Sequence, residues 1–369
     1  MPLSRRIFLR NATIGAGAAA FLNFPLAQNF ASAAALPGPV RLNSNENAYG
    51  PFPSVAQAMR DSLPACNRYP DHHHQDFLAR IAAHHQLRPE QVITGNGSTE
   101  ILRMAAEAFT GPGKKLIVAH PTFEAIGEYA AICGAEIVRL PLAANFAHDL
   151  GAMLAATRGV SGLVYICNPN NPTASITPKK DLADFVGRLP ANFQLLIDDA
   201  YHHFATDSPD YASFAGNPRV IVARTFSKIY ALAGLRLGYA VSSPELIGKM
   251  RPYQLQDNLN AVALRCGITG LADGASVDMA ARRNAADRAA FMRQAVARNL
   301  HPIPSHANFV MMDSGRPVRD VIAHFRQNEV WIGRPFPPLE TFVRVSLGLP
   351  AEMQTFWRVW DRMPKLAIS

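Results

Sequence analysis

Short apolar runs alternate with longer amphipathic stretches through the middle of the chain. The runs have the length of β-strands, and the stretches between them have the length and periodicity of helices. This alternation predicts an α/β fold in which helices cover both faces of a mostly parallel sheet. Ligands of such sheets bind beyond the carboxyl ends of the strands, so residues that follow each run are candidates for a functional site. The predicted strands are residues 91–94, 115–119, 136–139, 162–167, 194–198, 220–224 and 236–241.

A glycine-rich turn joins the first predicted strand to an amphipathic helix. Residues 95–100 read Gly-Asn-Gly-Ser-Thr-Glu, and apolar positions recur on one side of residues 100–109. Backbone N–H groups at a helix start, together with the hydroxyls of Ser98 and Thr99, can bind a phosphate. The pattern also suits an ordinary glycine turn with a Ser or Thr N-cap. Both interpretations stay open on this motif alone.

Three further polar residues follow predicted strands. Asn171 lies in a turn bounded by prolines, and Asp198 ends an apolar run, where a carboxylate is costly to bury without a cationic partner such as a protonated pyridine nitrogen. Lys228 follows another run, and a lysine near a sheet edge of low dielectric loses its proton more readily than one in water. That property is what a Schiff-base nucleophile requires. Taken singly, the Asn171 motif also suits an ordinary turn, and Lys228 also suits an ordinary surface position.

The first 35 residues have the organisation of an export signal. Arg5, Arg6 and Arg10 precede a weakly apolar run at 12–24, and small residues of the kind found at cleavage sites follow up to Ala35. A membrane anchor needs about 20 apolar residues, and a disordered arm rarely shows all three regions in order. The pattern predicts a twin-arginine signal peptide, export by the twin-arginine translocase and a periplasmic protein.

Composition narrows the class of protein. The chain has 369 residues, of which 49% are hydrophobic, enough for one large domain with a smaller one attached. The net charge of +8 is dispersed along the chain, so we expect no binding to nucleic acid. The four cysteines form no CxxC pair, which argues against thioredoxin-type chemistry and leaves any disulfide pairing open. Cys167 ends an apolar run and is predicted to be a buried thiol.

Adjacent histidines at 72–74 and 202–203 raise the question of a metal site, because imidazole is a common zinc ligand. Neighbouring histidines on a loop seldom converge on one ion, and no cysteine or acidic residue joins them at ligand spacing. We therefore expect no metal.

The motifs and their order identify a family resemblance. The motifs at 43–47, 68–70, 95–100 and 307–309, with the ordered set Asn171, Asp198, Lys228 and Arg236, closely resemble the histidinol-phosphate aminotransferases and their fold-type I relatives. The resemblance covers nearly all of the chain after the leader. It implies a large domain built on a mostly parallel sheet, a smaller α/β domain and the cofactor pyridoxal 5′-phosphate.

The resemblance assigns catalytic roles to Lys228, Asp198 and Tyr201, and it places Asn171 beside the cofactor. Lys228 would form a Schiff base with the cofactor and later carry the proton between the substrate and the cofactor. Asp198 would keep the pyridine nitrogen protonated, so that the ring withdraws electrons. Tyr201 and Asn171 would hydrogen-bond the phenolic oxygen of the ring.

The remaining cofactor contacts follow from the same resemblance. Phe123 would stack on the ring, at a position where the family more often has tyrosine. The phosphate would be bound by Ser98, Thr99, Ser227 and Arg236. Arg236 would make two parallel hydrogen bonds to it. Tyr69 would reach the phosphate of a neighbouring subunit, which implies a homodimer with a shared active site.

The substrate contacts implied by the resemblance are Tyr49, Asn171, Arg334 and Arg344. Arg344 would bind the anionic end of the substrate, Arg334 would be a second arginine used with phosphorylated substrates, and Tyr49 would help to close the pocket. Surface arginines are common, so the alternative for Arg334 is an ordinary solvated position. The chain departs from the family pattern at Ala174, where glycine is usual, and at Asp199, where glutamate is usual.

These expectations give a periplasmic pyridoxal-phosphate aminotransferase that moves an amino group between an amino acid or amino phosphate and a 2-oxo acid. Histidinol phosphate is a cytoplasmic intermediate, so an exported enzyme need not use it. The alternatives are a decarboxylase of the phosphothreonine type and a catalytically silent binding protein. The expected organisation is a signal peptide at 1–35, an N-terminal arm at 36–61, a large cofactor-binding domain at 62–267 and a small domain at 268–369.

Overall fold

The computed structural model describes residues 38–205 and 210–364. The predicted signal peptide and its cleavage site lie outside the described residues. The strands are β1 (Val40–Leu42), β2 (Val92–Asn96), β3 (Lys114–His120), β4 (Glu136–Pro141), β5 (Ser161–Cys167), β6 (Phe193–Asp198), β7 (Val220–Thr225), β8 (Leu237–Ser242), β9 (His301–Pro302), β10 (Phe309–Asp313), β11 (Val330–Ile332) and β12 (Phe342–Ser346). The helices are α1 (Pro53–Ser62), α2 (Asp71–His84), α3 (Ser98–Phe109), α4 (Ala125–Ile132), α5 (Leu150–Ala156), α6 (Lys179–Arg188), α7 (Pro244–Met250), α8 (Ala261–Ala272), α9 (Gly274–Val296), α10 (Val318–Gln327) and α11 (Pro350–Asp361).

The central sheet confirms the predicted mostly parallel α/β architecture. Within the described residues its order is β2-β8-β7-β6-β5-β3-β4, and β8 runs opposite to the other six strands of this sheet. All seven predicted strands are present, with ends shifted by a few residues. The prediction that β8 begins at Arg236 is wrong, because Arg236 has a left-handed φ of 55° and the strand starts at Leu237. Helix α3 begins at Ser98 rather than at Glu100.

Alternation along the strands fills a core on each face of this sheet. Val164 and Ile166 of β5 pack on one face, whereas Leu163 and Tyr165 pack on the other. All four are fully buried, and burying one aliphatic side chain of this size contributes about 1.5–3 kcal/mol. The run is apolar throughout because both faces are covered by helices.

A separate core joins the two ends of the described chain. Strand β1 pairs in parallel with β11, which places Leu42 against Ile332, and β12, β10 and β9 form an antiparallel sheet. The N-terminal arm thereby shares a core with α10, α11 and the end of α9. The predicted boundary between residues 267 and 268 falls inside α8, and the division into domains stays a prediction.

The cysteines are free thiols, and all four lie in the described part of the chain. Cys167 is buried as predicted, and burial raises its pKa well above the usual range. Among residues 38–205 and 210–364, no helix is both long enough and apolar enough to cross a bilayer.

Candidate active site

A cavity of about 320 Å³ opens at the carboxyl ends of β5, β6 and β7. Its volume falls in the usual range of ligand pockets, about 300–1,000 Å³. The predicted residues that line it are Ser98, Thr99, Phe123, Asn171, Asp198, Tyr201, Ser227, Lys228, Arg236 and Arg344. The fold thus brings together side chains from both ends of the chain, at the place where parallel sheets bind ligands.

Lys228 follows β7 and extends its ammonium group towards the N-terminal arm. Its Nζ donates to the backbone carbonyl of Asn45 at 3.1 Å and to that of Ser44 at 3.4 Å. Burial lowers the pKa of Lys228 to about 8, and the positive charge of Arg344 makes a smaller contribution in the same direction. A measurable fraction of the amine is therefore neutral near pH 7, as a nucleophile or base requires.

Asp198 ends β6 as a buried carboxylate on the cavity wall. Its Oδ2 accepts a hydrogen bond of 2.9 Å from the Tyr165 hydroxyl, and its Oδ1 accepts one of 3.2 Å from the backbone of Ala200. Burial raises the pKa of Asp198. Within the described chain no basic side chain forms an ion pair with it, so the carboxylate has room for a cation supplied by a ligand.

Asp199 points to the opposite face of the sheet from Asp198, since successive strand side chains alternate. Arg224 donates to Asp199 at 2.9 Å and to Asp210 at 2.6 Å. Burial raises the pKa of Asp199, and the guanidinium of Arg224 opposes that shift. The aspartate that replaces the family glutamate is therefore part of a buried ion pair and does not line the cavity.

The start of α3 forms an anion-binding corner with Arg236. Gly97 precedes the helix with φ 74°, and a Cβ atom at this position would overlap the guanidinium of Arg236. Arg236 donates to the carbonyl of Ala233 at 2.9 Å and lies 3.5 Å from the Ser227 hydroxyl. Because free N–H groups and the helix dipole also favour an anion here, the corner suits a phosphate group.

Arg344, in β12, closes the other side of the cavity. Its guanidinium donates to the Asn171 side chain at 2.6 Å and to the carbonyl of Asn43 at 2.6 Å. Its Nε is buried and has no hydrogen-bond partner among residues 38–205 and 210–364, and burial lowers the pKa of Arg344 to about 10. An anion bound beside it would supply the missing acceptor.

Three predicted site residues do not line this cavity. Tyr49 donates its hydroxyl to Asp287 at 3.0 Å, and Tyr69 is 78% exposed. Arg334 forms an ion pair with Glu124. Their predicted contacts with substrate or with a neighbouring subunit stay predictions.

The sequence interpretation assigned no role to Tyr165 or Asn45. Asn45 donates its side-chain amide to the Tyr201 hydroxyl at 3.0 Å and has a left-handed φ of 54°. Asn45 belongs to the motif at 43–47, which marked the segment as important without showing what it contacts. Tyr165 carries no sequence signal, because its contact with Asp198 follows from the pairing of β5 with β6.

The two histidine groups make ordinary contacts. His74 hydrogen-bonds the Thr94 hydroxyl at 2.8 Å, and the rings of His202 and His203 stack edge to face. In the part of the chain that the structure describes, no three metal-type ligands converge.

Known proteins share this fold and much of this sequence. The sequence profile of the aminotransferase class I and II family matches residues 37–357. A histidinol-phosphate aminotransferase of Moorella thermoacetica is 35% identical over 86% of this chain and 84% of its own length. An aromatic amino acid aminotransferase of Rhodococcus jostii is 36% identical over 87% of this chain and 89% of its own. The structure of histidinol-phosphate aminotransferase from Sinorhizobium meliloti in complex with pyridoxal-5′-phosphate superposes with a TM-score of 0.83 at 26% identity, covering 94% of this chain and 98% of that one.

The chain belongs to the aminotransferase class I and II family. It is a pyridoxal-phosphate-dependent aminotransferase of the histidinol-phosphate aminotransferase type, with the fold-type I architecture.

Proposed function

We propose that this aminotransferase takes an amino group from a compound that also carries an anionic group and transfers it to a 2-oxo acid. The observation that carries the proposal is that Lys228 and the buried Arg344 line one cavity. An amino compound bound by its anion at Arg344 would hold its amino group on the side where Lys228 lies. Relatives named for histidinol phosphate and for aromatic amino acids both fit this description.

The residues present fit pyridoxal phosphate. The corner formed by α3 and Arg236 offers N–H groups and a guanidinium to a phosphate, and Asp198 offers a buried carboxylate without a cationic side-chain partner to a protonated ring nitrogen. The cofactor supplies an aldehyde that bonds to amines and a ring that withdraws electrons from the carbon next to them. Tyr165 holds the Asp198 carboxylate by its hydroxyl and so fixes its direction.

Lys228 is the residue that moves the proton. Its Nζ, with a pKa lowered to about 8, would take the proton from the substrate carbon that bears the amino group and hold it inside the cavity until it is returned. A base whose pKa lies close to the working pH is the most efficient for such a transfer. Arg344 and Asn171 hold the anionic end of the substrate still during this exchange.

A half-reaction screen tests the proposal. Amino donors are added singly to the purified holoenzyme while the absorbance of the bound cofactor is recorded, and the keto product is quantified. We expect stoichiometric keto product with donors that carry a carboxylate or a phosphate, and no reaction with simple amines. Release of carbon dioxide instead of a keto product would overturn the proposal in favour of decarboxylation.

The enzyme acts as a homodimer in this proposal, with Tyr69 contributed to the site of the other subunit. The exposure of Tyr69 supports this, because 78% of an aromatic side chain faces solvent in one chain alone. Mixing the inactive variants Lys228→Ala and Tyr69→Ala should restore activity, since one site of each mixed dimer has both residues. No recovery after subunit exchange would contradict a shared site.

Location is part of the same proposal. The order of charged, apolar and small residues in positions 1–35 supports export by the twin-arginine route to the periplasm. That route carries folded proteins, so the cofactor would be bound before export.

A further inference from the structure

We propose that Glu124 sets the preference of this enzyme between substrates with one negative charge and substrates with a dianionic phosphate. The inference rests on the proposed function, because it concerns the anionic end of the substrate. Glu124 does so by holding Arg334, an arginine that lines an outer cavity together with Arg344, in an ion pair. The sequence interpretation gave no role to Glu124.

The ion pair connects two parts of the chain that are far apart in sequence. Glu124 precedes α4 and follows Phe123, which lines the cavity. Arg334 follows β11 and donates its second nitrogen to the carbonyl of Pro335 at 2.9 Å. Its side chain is thus directed at Glu124 instead of lining the cavity that contains Lys228.

The two arginines lie beside the same aromatic ring. The guanidinium carbons of Arg334 and Arg344 lie 4.4 and 4.7 Å from the centre of the same ring, that of Phe336. Both arginines also line an outer cavity of about 600 Å³. Arg344 borders this outer cavity and the inner one with Lys228, so the two spaces adjoin at its side chain.

Substrates with a carboxylate and substrates with a phosphate differ in the number of cations that they need. A carboxylate carries one negative charge and can be held by Arg344 alone, whose Nε lacks a partner. A dianionic phosphate calls for a second cation, and Arg334 becomes available only when Glu124 releases it. Until then the carboxylate of Glu124 also repels the phosphate.

Arg334 can exchange Glu124 for a phosphate at a low free-energy cost, because the ion pair faces solvent. The side chains of Arg334 and Glu124 are 52% and 56% exposed, and exposed pairs are weak. An incoming phosphate can therefore displace Glu124, at a cost of about two- to fivefold in affinity. The effect is a graded preference and not an absolute exclusion.

A matched control lies one turn further along α4. Glu124 and Glu128 are both exposed carboxylates at the start of this helix, where a negative charge stabilises the N-terminus. Glu128→Gln removes the same charge from the next turn of the helix and leaves the ion pair of Arg334 in place. A purely structural or long-range charge effect would appear in both variants, whereas the proposed effect appears only in Glu124→Gln.

The test compares two donors in the holoenzyme, histidinol phosphate and L-phenylalanine. For Glu124→Gln we expect the ratio of kcat/KM for histidinol phosphate to that for phenylalanine to rise about two- to fivefold, through a lower KM. The inhibition constant of histidinol phosphate replaces its KM if it binds without turnover. Glu128→Gln should leave the ratio unchanged.

A double-mutant cycle with Arg334 completes the experiment. Adding Glu124→Gln to Arg334→Ala should produce a smaller gain than in the wild-type background, because the arginine that Glu124 withholds is absent. An equal rise for both donors, or no rise for either, would overturn the role of Glu124. If the wild-type enzyme reacts with neither these donors nor any other, it is the proposed function that fails.

Discussion

The ammonium of Lys228 donates a hydrogen bond of 3.1 Å to the backbone carbonyl of Asn45. This contact ties the predicted catalytic lysine to the N-terminal arm, whose strand β1 pairs with β11 in the separate core at the two ends of the described chain. The arm and the large sheet therefore build the cavity together. The reactivity of Lys228 depends on how much burial in this cavity lowers its pKa.

We predict that cofactor capture by the apoenzyme rises with pH around a midpoint near 8. The pKa of Lys228 is lowered to about 8, and only the neutral amine attacks an aldehyde. At pH 7 this shift raises the neutral fraction about 300-fold over an unperturbed lysine. Stopped-flow absorbance across pH 6–10 measures the rate, and borohydride reduction followed by peptide mapping locates the bond. A midpoint near 10, or a bond to another lysine, would contradict the assignment.

Replacement by asparagine should lower the reaction rate at Asp198 and the folding stability at the adjacent Asp199. Asp198→Asn removes the charge that faces the cavity, and loss of a catalytic electrostatic contact costs about 10²–10³ in rate. Its folding should be preserved, because Tyr165 can still donate to the amide oxygen. Single-turnover rates and denaturant melts on the same preparations separate the two effects.

Asp199→Asn is the matched comparison for that experiment. It weakens the buried pair with Arg224, so we expect a loss of roughly 2 kcal/mol or more in unfolding free energy, tempered by the remaining contact with Asp210. Its half-reaction rate should stay within about tenfold of wild type. A near-normal rate in Asp198→Asn would remove that residue from the mechanism.

Gly97 should be irreplaceable for phosphate binding. Alanine at this position has an unfavourable φ of 74° and overlaps Arg236, so we expect the dissociation constant for pyridoxal phosphate to rise about tenfold or more. Gly113→Ala is the control, because its φ is 77° but the added methyl group meets nothing within 4 Å. That variant should lose about 1 kcal/mol of stability and keep its affinity for the cofactor. Apoenzyme titrations measure both constants, and equal affinities in the two variants would refute the steric argument.

Buried His148 should make the protein sensitive to acid. Burial lowers its pKa to about 4, whereas an imidazole in the unfolded chain titrates near 6.5. The stability provided by the neutral ring is intact above pH 6.5 and is lost as the pH falls towards 4, by roughly 3 kcal/mol in total. Denaturant melts of His148→Gln from pH 7 to 4 should show a pH dependence smaller by that amount. The exposed His301→Gln should show the wild-type dependence, and an unchanged slope in His148→Gln would refute the role of burial.

The strand-end residues of the site could be predicted from sequence because their signals are local. Lys228 and Asp198 each follow an apolar run, and parallel strands bring such ends to one edge of the sheet. The contacts of Tyr165 could not be predicted, since they depend on the order and register of β5 and β6. The pairing of Arg334 with Glu124 depends on how two distant segments pack. Arg236 was assigned to a strand because its left-handed backbone has no sequence signature in a non-glycine residue.

The last prediction concerns export. Mutation can test whether export needs the two arginines themselves or only their positive charge. Changing both Arg5 and Arg6 to lysine keeps the positive charge and removes the planar guanidinium groups. A general export route needs only positive charge before an apolar run, whereas the twin-arginine route should require the arginines themselves. We expect the double variant to remain in the cytoplasm as active, cofactor-loaded enzyme with its leader uncleaved. Cell fractionation with activity assays and mass spectrometry of the N-terminus checks this. Arrival of the lysine variant in the periplasm, cleaved near Ala33, would refute the twin-arginine interpretation and leave the aminotransferase assignment intact.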